Sequence, residues 1–238
     1  MKKIILSAAV LVLSVGTLLA QSVDEIVTKN LNAIGGVAKL HEVRSLIMEN
    51  TVKVRGLEIE NLTTVLVGKA VKSDSKIMGN NLVQAFDGTT AWAITPIIMG
   101  GNGEPQVMPE ETSKSVINQV DPFPLLDYAK KGTVLALLAP EKVKDKDAYH
   151  LKIFPKSGAE SEVWIDVATG LISKFKTIQN GQVVELFFLN YKEIEGIKFA
   201  MSSETSNPMA GTVSIETKTV KLNNAIDEVI FKMPGTKN

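Results

Sequence analysis

The chain contains no cysteine. Disulfides, thiol chemistry and the lipidated cysteine of a bacterial lipoprotein are therefore excluded. Arginine is nearly as scarce. Among 26 basic residues, only Arg44 and Arg55 carry a guanidinium group, so no bidentate phosphate clamp is expected. Charge of either sign is in balance, with a formal net of zero, and no basic footprint for nucleic acid is visible. His41 and His150 are the two histidines. One falls near the first helices and the other on a later strand, whereas a histidine metal site needs several ligands held together. No metal or cofactor is expected, and no catalytic residue. There is no Gly-x-Ser-x-Gly elbow, phosphate-cradling loop or His-Glu-x-x-His helix. Asp145 and Asp147 lack the further oxygen ligands and closing Glu of a calcium loop and read as a solvated turn.

What is present begins with a leader. Lys2 and Lys3, the apolar stretch Ile4 to Val15 and the end Leu18-Leu19-Ala20 read as a secretory signal peptide over residues 1–20. No other apolar run approaches the roughly 20 residues that span a bilayer. The expected mature protein is a soluble, non-lipidated periplasmic chain, a single domain over 21–238. Ser22 and Glu25 have capping-box spacing, and Val23, Ile26, Val27, Leu31 and Ile34 recur at helical intervals up to Gly35-Gly36. From Ser45 the period changes to two. Leu46, Met48, Val52 and Val54 alternate with Glu49, Thr51, Lys53 and Arg55.

The same grammar is clearest at Val163 to Phe175, two alternating runs joined by Ala168-Thr169-Gly170. About a dozen strands are expected, the last at Val229 to Met233. Helices are expected at Pro109 to Val120 and Pro122 to Lys130. Turns are expected at Asp87-Gly88, Lys144 to Asp147, Ser157-Gly158, Asn180-Gly181, Glu195-Gly196 and Asn207 to Gly211. Pro96 to Pro109 breaks the pattern. Its Gly100-Gly101-Asn102-Gly103 is too irregular for a dinucleotide fingerprint and reads as a flexible surface loop, or as a hinged lid. The strand from Val183 is apolar on both faces: Val183, Phe187 and Leu189 on one, Val184, Leu186 and Phe188 on the other. Both faces must then be covered, by helices, by sheet curvature or by a ligand.

Asp87-Gly88-Thr89-Thr90-Ala91-Trp92-Ala93-Ile94-Thr95-Pro96 resembles the Asp-Gly-x-x-x-Trp-x-x-x-Pro segment of the periplasmic lipoprotein carrier LolA and its relatives. The closing run with Asp227, Phe231 and Pro234 is similar to the end of that family, and the order of helix, strands, helices and hairpins matches along nearly the whole mature chain. The resemblance implies a mainly β (α+β) fold: a strongly curved, unclosed antiparallel β-barrel with a helical lid over a hydrophobic cavity. It implies a non-enzymatic, monomeric carrier of acyl chains, from lipoproteins or other lipids, in outer-membrane lipoprotein sorting. The partners it implies are an inner-membrane ABC transporter and an outer-membrane acceptor. A periplasmic sensor or protein-interaction module on the same fold is the alternative. The residues singled out for lipid contact are Phe86 and Trp92 near the motif, Ile97, Ile98 and Met99 on the loop, and Ile117, Val120, Phe123 and Leu126 on the lid helices. Core packing competes with lipid contact at each of them. The carrier's usual Arg-Pro, whose Arg latches the lid, is replaced here by Lys69-Ala70. Lys69 could serve as the latch, but lysine lacks the rigid fork of arginine.

Overall fold

The structure is a computed structural model that describes residues 21–156, 159–179, 182–207 and 211–235. The expected leader at 1–20, the expected turns at Ser157-Gly158 and Asn180-Gly181 and the middle of the one expected at Asn207 to Gly211 lie outside the described residues.

Helix α1 (Val23–Ile34) starts as its sequence dictates. The Ser22 side chain accepts from the Glu25 backbone N–H and the Glu25 carboxylate returns a bond to the Ser22 N–H. Helix α2 (Val37–Glu42) follows directly. The chain then alternates through β1 (Ser45–Val54), β2 (Leu57–Leu66), β3 (Ala70–Ile77), β4 (Asn80–Phe86), β5 (Ala91–Ile94) and β6 (Pro105–Val107). Helix α3 (Glu110–Ile117) and a 3-10 turn at Asn118–Val120 come next. The second run comprises β7 (Val134–Leu137), β8 (Glu141–Val143), β9 (Lys146–Phe154), β10 (Ser161–Asp166), β11 (Ile172–Gln179), β12 (Gln182–Ile194), β13 (Ile197–Asn207) and β14 (Gly211–Leu222).

All fourteen strands belong to one antiparallel sheet ordered β6-β5-β4-β3-β2-β1-β14-β13-β12-β11-β10-β9-β7, with β8 beside β9. The first and last hairpin runs are joined through β1 and β14, while β6 and β7 remain at opposite ends, so the sheet curls without closing. Its inner face carries the helices. Ile26, Val27 and Leu31 of α1, Leu40 of α2 and Val116 of α3 share one buried cluster with Leu46, Val65, Val71, Leu151, Val163, Ile165, Val220 and Leu222 from the sheet.

Two expectations are corrected. Residues 122–130 form successive turns rather than a helix. Pro122 and Pro124 cannot donate backbone hydrogen bonds, and Asp127 takes a positive φ of 49°. The segment expected as a last strand is a 3-10 turn at Glu228–Phe231, entered through Asp227, whose carboxylate accepts from the Val229 N–H. The Gly100 segment lies at the surface, as expected, and is locally folded. Successive backbone bonds from Met99, Gly100, Gly101 and Gly103 to Pro96, Ile97, Pro96 and Thr95 fold it into a compact turn.

The hairpin at Val163–Phe175 docks on α1. Asp166 accepts from the backbone and hydroxyl of Thr169, closing the turn. Burial would raise the Asp166 pKa, but these hydrogen bonds hold it below its ordinary value. The buried Asn30 amide of α1 donates to the Gly170 carbonyl at 2.8 Å, and Lys29 donates to the Val167 carbonyl.

Candidate functional site

Cross-strand partners share a face of the sheet, so the registers assign every inner position. Leu46, Met48, Asn50 and Val52 of β1 stand opposite Val65, Thr63, Asn61 and Ile59 of β2. They also stand opposite Leu222, Val220, Thr217 and Ile215 of β14, across a bulge. The near end of this face, with Leu46, Val65 and Leu222, is sealed by the helices. The far end continues with Val52, Ile59, Val213, Ile215, Leu186 and Phe188, all partly exposed and outside the helix-covered core. Of the strand that reads as apolar on both faces, Val184, Leu186 and Phe188 point inward with Phe175. Phe187 points outward into a small cluster with Val143, Ala148 and Trp164.

Between the sealed and open ends runs a belt of uncharged polar side chains. Thr217 donates to Asn50, Asn50 to Asn61, and the Asn61 amide to Ser73 and Ser75, with Thr63 closing on Asn61. The next inward residue across the sheet, Gln84 opposite Ser73, opens into a hollow of about 680 Å³ between β4–β6, the turn at Gly100–Asn102 and α3. Thr95, Asn102 and Gln106 line its strand side, Thr112, Ser115 and Gln119 its helix side, with Ala93 and Met108 as the apolar patch.

The singled-out residues divide into four groups. Phe86 lies inward against the main core, as does Val120, and Phe123 and Leu126 are buried within it. Ile117 is half-buried on α3. Ile97, Ile98 and Met99 are 74%, 57% and 51% exposed on the 3-10 turn that leads into Gly100–Asn102 at the edge of the hollow. Trp92 differs from the expected cavity role: its neighbours Ala91 and Ala93 face inward and it faces outward, in a separate cluster with Val83 and Ala85. Its indole N–H donates to the Phe231 carbonyl at 2.7 Å. The two family-like motifs, far apart in sequence, thus form one outer clasp. Lys69 joins the same clasp, pairing with Glu228 at 2.5 Å instead of latching the lid. The bond that ties the lid to the β2–β3 turn is from backbone to backbone, Gly68 N–H to the Val120 carbonyl at 2.7 Å. The belt and the hollow were missed by sequence reasoning. The small serines between charges in Lys72-Ser73-Asp74-Ser75-Lys76 were the available signal, since period two puts both on one face.

His150 is buried on the outer face, stacked on Trp164 with centroids 4.0 Å apart and with Nε2 2.8 Å from Glu162. Burial would raise the Glu162 pKa, but bonds with His150 and Lys176 hold it below its ordinary value. His41 lies apart, beside Asp127. Among the described residues no group of three or more His, Asp or Glu could hold a metal ion.

No protein-family model matches the chain, and no curated protein matches it by sequence. Solved structures do match. A LolA superfamily protein from Nitrosomonas europaea superposes with a TM-score of 0.60 at 11% identity, over 90% of this chain and 98% of that one. A domain named for outer-membrane lipoprotein sorting, from Vibrio parahaemolyticus, gives 0.55 at 17% identity, over 87% and 94%. A DUF1329 family protein from Desulfovibrio piger gives 0.50 at 12% identity, over 88% and 97%. At these identities the likeness is one of architecture: the chain has a LolA-like fold, an unclosed antiparallel β-barrel whose helices cover part of its inner face.

Proposed function

We propose that the protein binds acyl chains, of lipidated proteins or of free lipids, on the inner face of its sheet. On this reading it carries them through the periplasm without chemistry, as a single domain following the leader at 1–20. The observation that supports this most directly is the partly exposed apolar end of the inner face, Val52, Ile59, Leu186, Phe188, Val213 and Ile215. A sheet face that faced only water would carry polar residues there. Each acyl methylene that leaves water contributes about 0.8 kcal/mol. A sixteen-carbon chain fully buried would contribute roughly 10 kcal/mol, less the ordering cost. Release is set by α3, which buries only Ser113 and Val116 and has no side-chain N-cap. The exposed Ile97, Ile98 and Met99 meet a membrane or an incoming chain at the rim. Outer-membrane lipoprotein sorting is the process this reading fits, with a membrane transporter and an acceptor as donor and recipient.

Native mass spectrometry of protein purified from the periplasm tests it. The expected result is a stoichiometric acyl ligand lost on solvent extraction, retained by wild type and lost by Phe188→Asp, with the two proteins sharing nearly the same midpoint once both are stripped of ligand. A clean apo mass that takes up no added fatty acid or phospholipid would overturn the reading. The same exposed turn, together with Val107 on the edge strand β6, favours a second reading, recognition of a protein partner. A membrane-bound regulator co-purifying with the lipid-free protein distinguishes it.

A further inference from the structure

The hollow beside α3 continues the uncharged polar chemistry of the belt and contrasts with the apolar ends of the inner face. Its polar lining consists of amides and hydroxyls, and among the described residues no charged side chain lines it. The chain uses Lys and Glu freely on the outer face, where Lys53 meets Glu58 and Glu216, and Lys221 meets Glu49. The hollow is therefore a neutral polar site, in contrast to the ion-paired outer face. At about 680 Å³ it falls within the range of small-ligand pockets, about 300–1,000 Å³. The Gln84, Thr95 and Gln106 side chains make no hydrogen bond among the described residues. Gln119 uses its amide N–H on the Ser115 carbonyl and leaves its oxygen open to the hollow. Each glutamine offers both a donor and an acceptor, the combination that a hydroxyl group answers from either side.

Its wall is preformed. A Cβ at Gly101 would meet the Thr95 carbonyl oxygen at 2.0 Å, so the turn is folded tightly back on its own stem just after β5. Gln84 is the inward neighbour of Ser73, so the hollow opens directly off the polar belt that borders the apolar lining. A ligand with its chains on that lining would present its head group here.

We propose that this hollow selects an uncharged, hydroxyl-rich head group, a hexosyl ring on a diacylglycerol, over an anionic one. The proposal rests on the acyl-binding reading and names its substrate class. Ring hydroxyls donate to and accept from the glutamine amides, while Ala93 and Met108 take the apolar ring face. A phosphate would bring charge to a wall whose described residues offer no cation to meet it.

The test uses the full mature protein and three probes: monoglucosyl dioleoylglycerol, dioleoyl phosphatidylglycerol and free glucose, with dissociation constants measured by native mass spectrometry. Wild type is expected to hold the glucosyl lipid about tenfold more tightly than the phosphatidyl lipid, about 1.4 kcal/mol. The double variant Gln84→Leu, Gln106→Leu is expected to hold the two lipids equally, with an unchanged unfolding midpoint because both side chains are exposed. Equal affinities in wild type would overturn the head-group proposal and leave acyl binding intact. A preference that survives in the double variant would overturn it too. Glucose binding as tightly as the glucosyl lipid would overturn the link to a lipid. Failure of both lipids to bind wild type would sink the acyl reading, and the head-group proposal with it.

Discussion

Trp92 shows what a single residue can and cannot reveal. Its motif is legible in the sequence, and so is the turn before it, where the Asp87 carboxylate accepts from the Thr89 and Thr90 N–H groups. Its face is not legible, because Ala91-Trp92-Ala93-Ile94 is apolar at every position and alternation gives no direction. The register supplies it: Trp92 is outward, over the C-terminal turn. Trp92→Phe keeps a ring but removes the indole donor, leaving the Phe231 carbonyl buried and unpaired. The expected cost is about 1–3 kcal/mol, with a further packing loss from the smaller ring. Urea unfolding measures it, and acyl-ligand retention by the folded protein should not change. Loss of ligand at full stability would instead put Trp92 in the binding site.

Among the elements, legibility followed length and local chemistry. The capping box of α1 and the long hairpins were visible because their signals lie within a few residues. The three-residue strands β6 and β8 were not, because three residues cannot show a period. Val229, Phe231 and Met233 alternate like a strand, yet Asp227 caps Glu228–Phe231 into a 3-10 turn that ends before Met233. The Val163–Phe175 hairpin was legible as a hairpin, whereas its seat on α1 depends on partners about 140 residues away. Gly170 is the hinge of that seat. It has φ of 74°, and an added Cβ would lie 3.1 Å from the Ala33 Cβ and from the Lys29 carbonyl oxygen. Gly170→Ala therefore meets both a left-handed backbone and the helix surface, and should destabilise the protein by about 1–2 kcal/mol. Hydrogen exchange separates the two effects. Loss of protection in α1 as well as in the turn is expected, and loss in the turn alone would mean that the helix yields without cost.

At the scale of the whole molecule, the sheet is longer than its helices can cover. One end of the inner face is a sealed core and the other carries partly exposed Val52, Ile59, Leu186, Phe188, Val213 and Ile215. The apolar run of β12 signalled covering on both faces, and the structure assigns the outer cover to Trp164 and Lys174 around Phe187. Which agent covers the inner side could not be read from a chain that lists only its own residues. If it is an acyl ligand, the native state gains stability by linkage, since the unfolded chain offers no such surface. With a sixteen-carbon monoacylglycerol at 100 times its dissociation constant, the gain is about 2.7 kcal/mol. For a chain of this size each kcal/mol moves the midpoint by about 2–4 °C, so calorimetry should show a rise of roughly 5–10 °C. Phe188→Asp removes apolar lining without entering the sealed core. It should leave the apo midpoint near wild type and abolish most of the rise. A full rise in that variant would place the ligand elsewhere, and no rise in either protein would mean that the open end of the sheet is covered by something other than lipid.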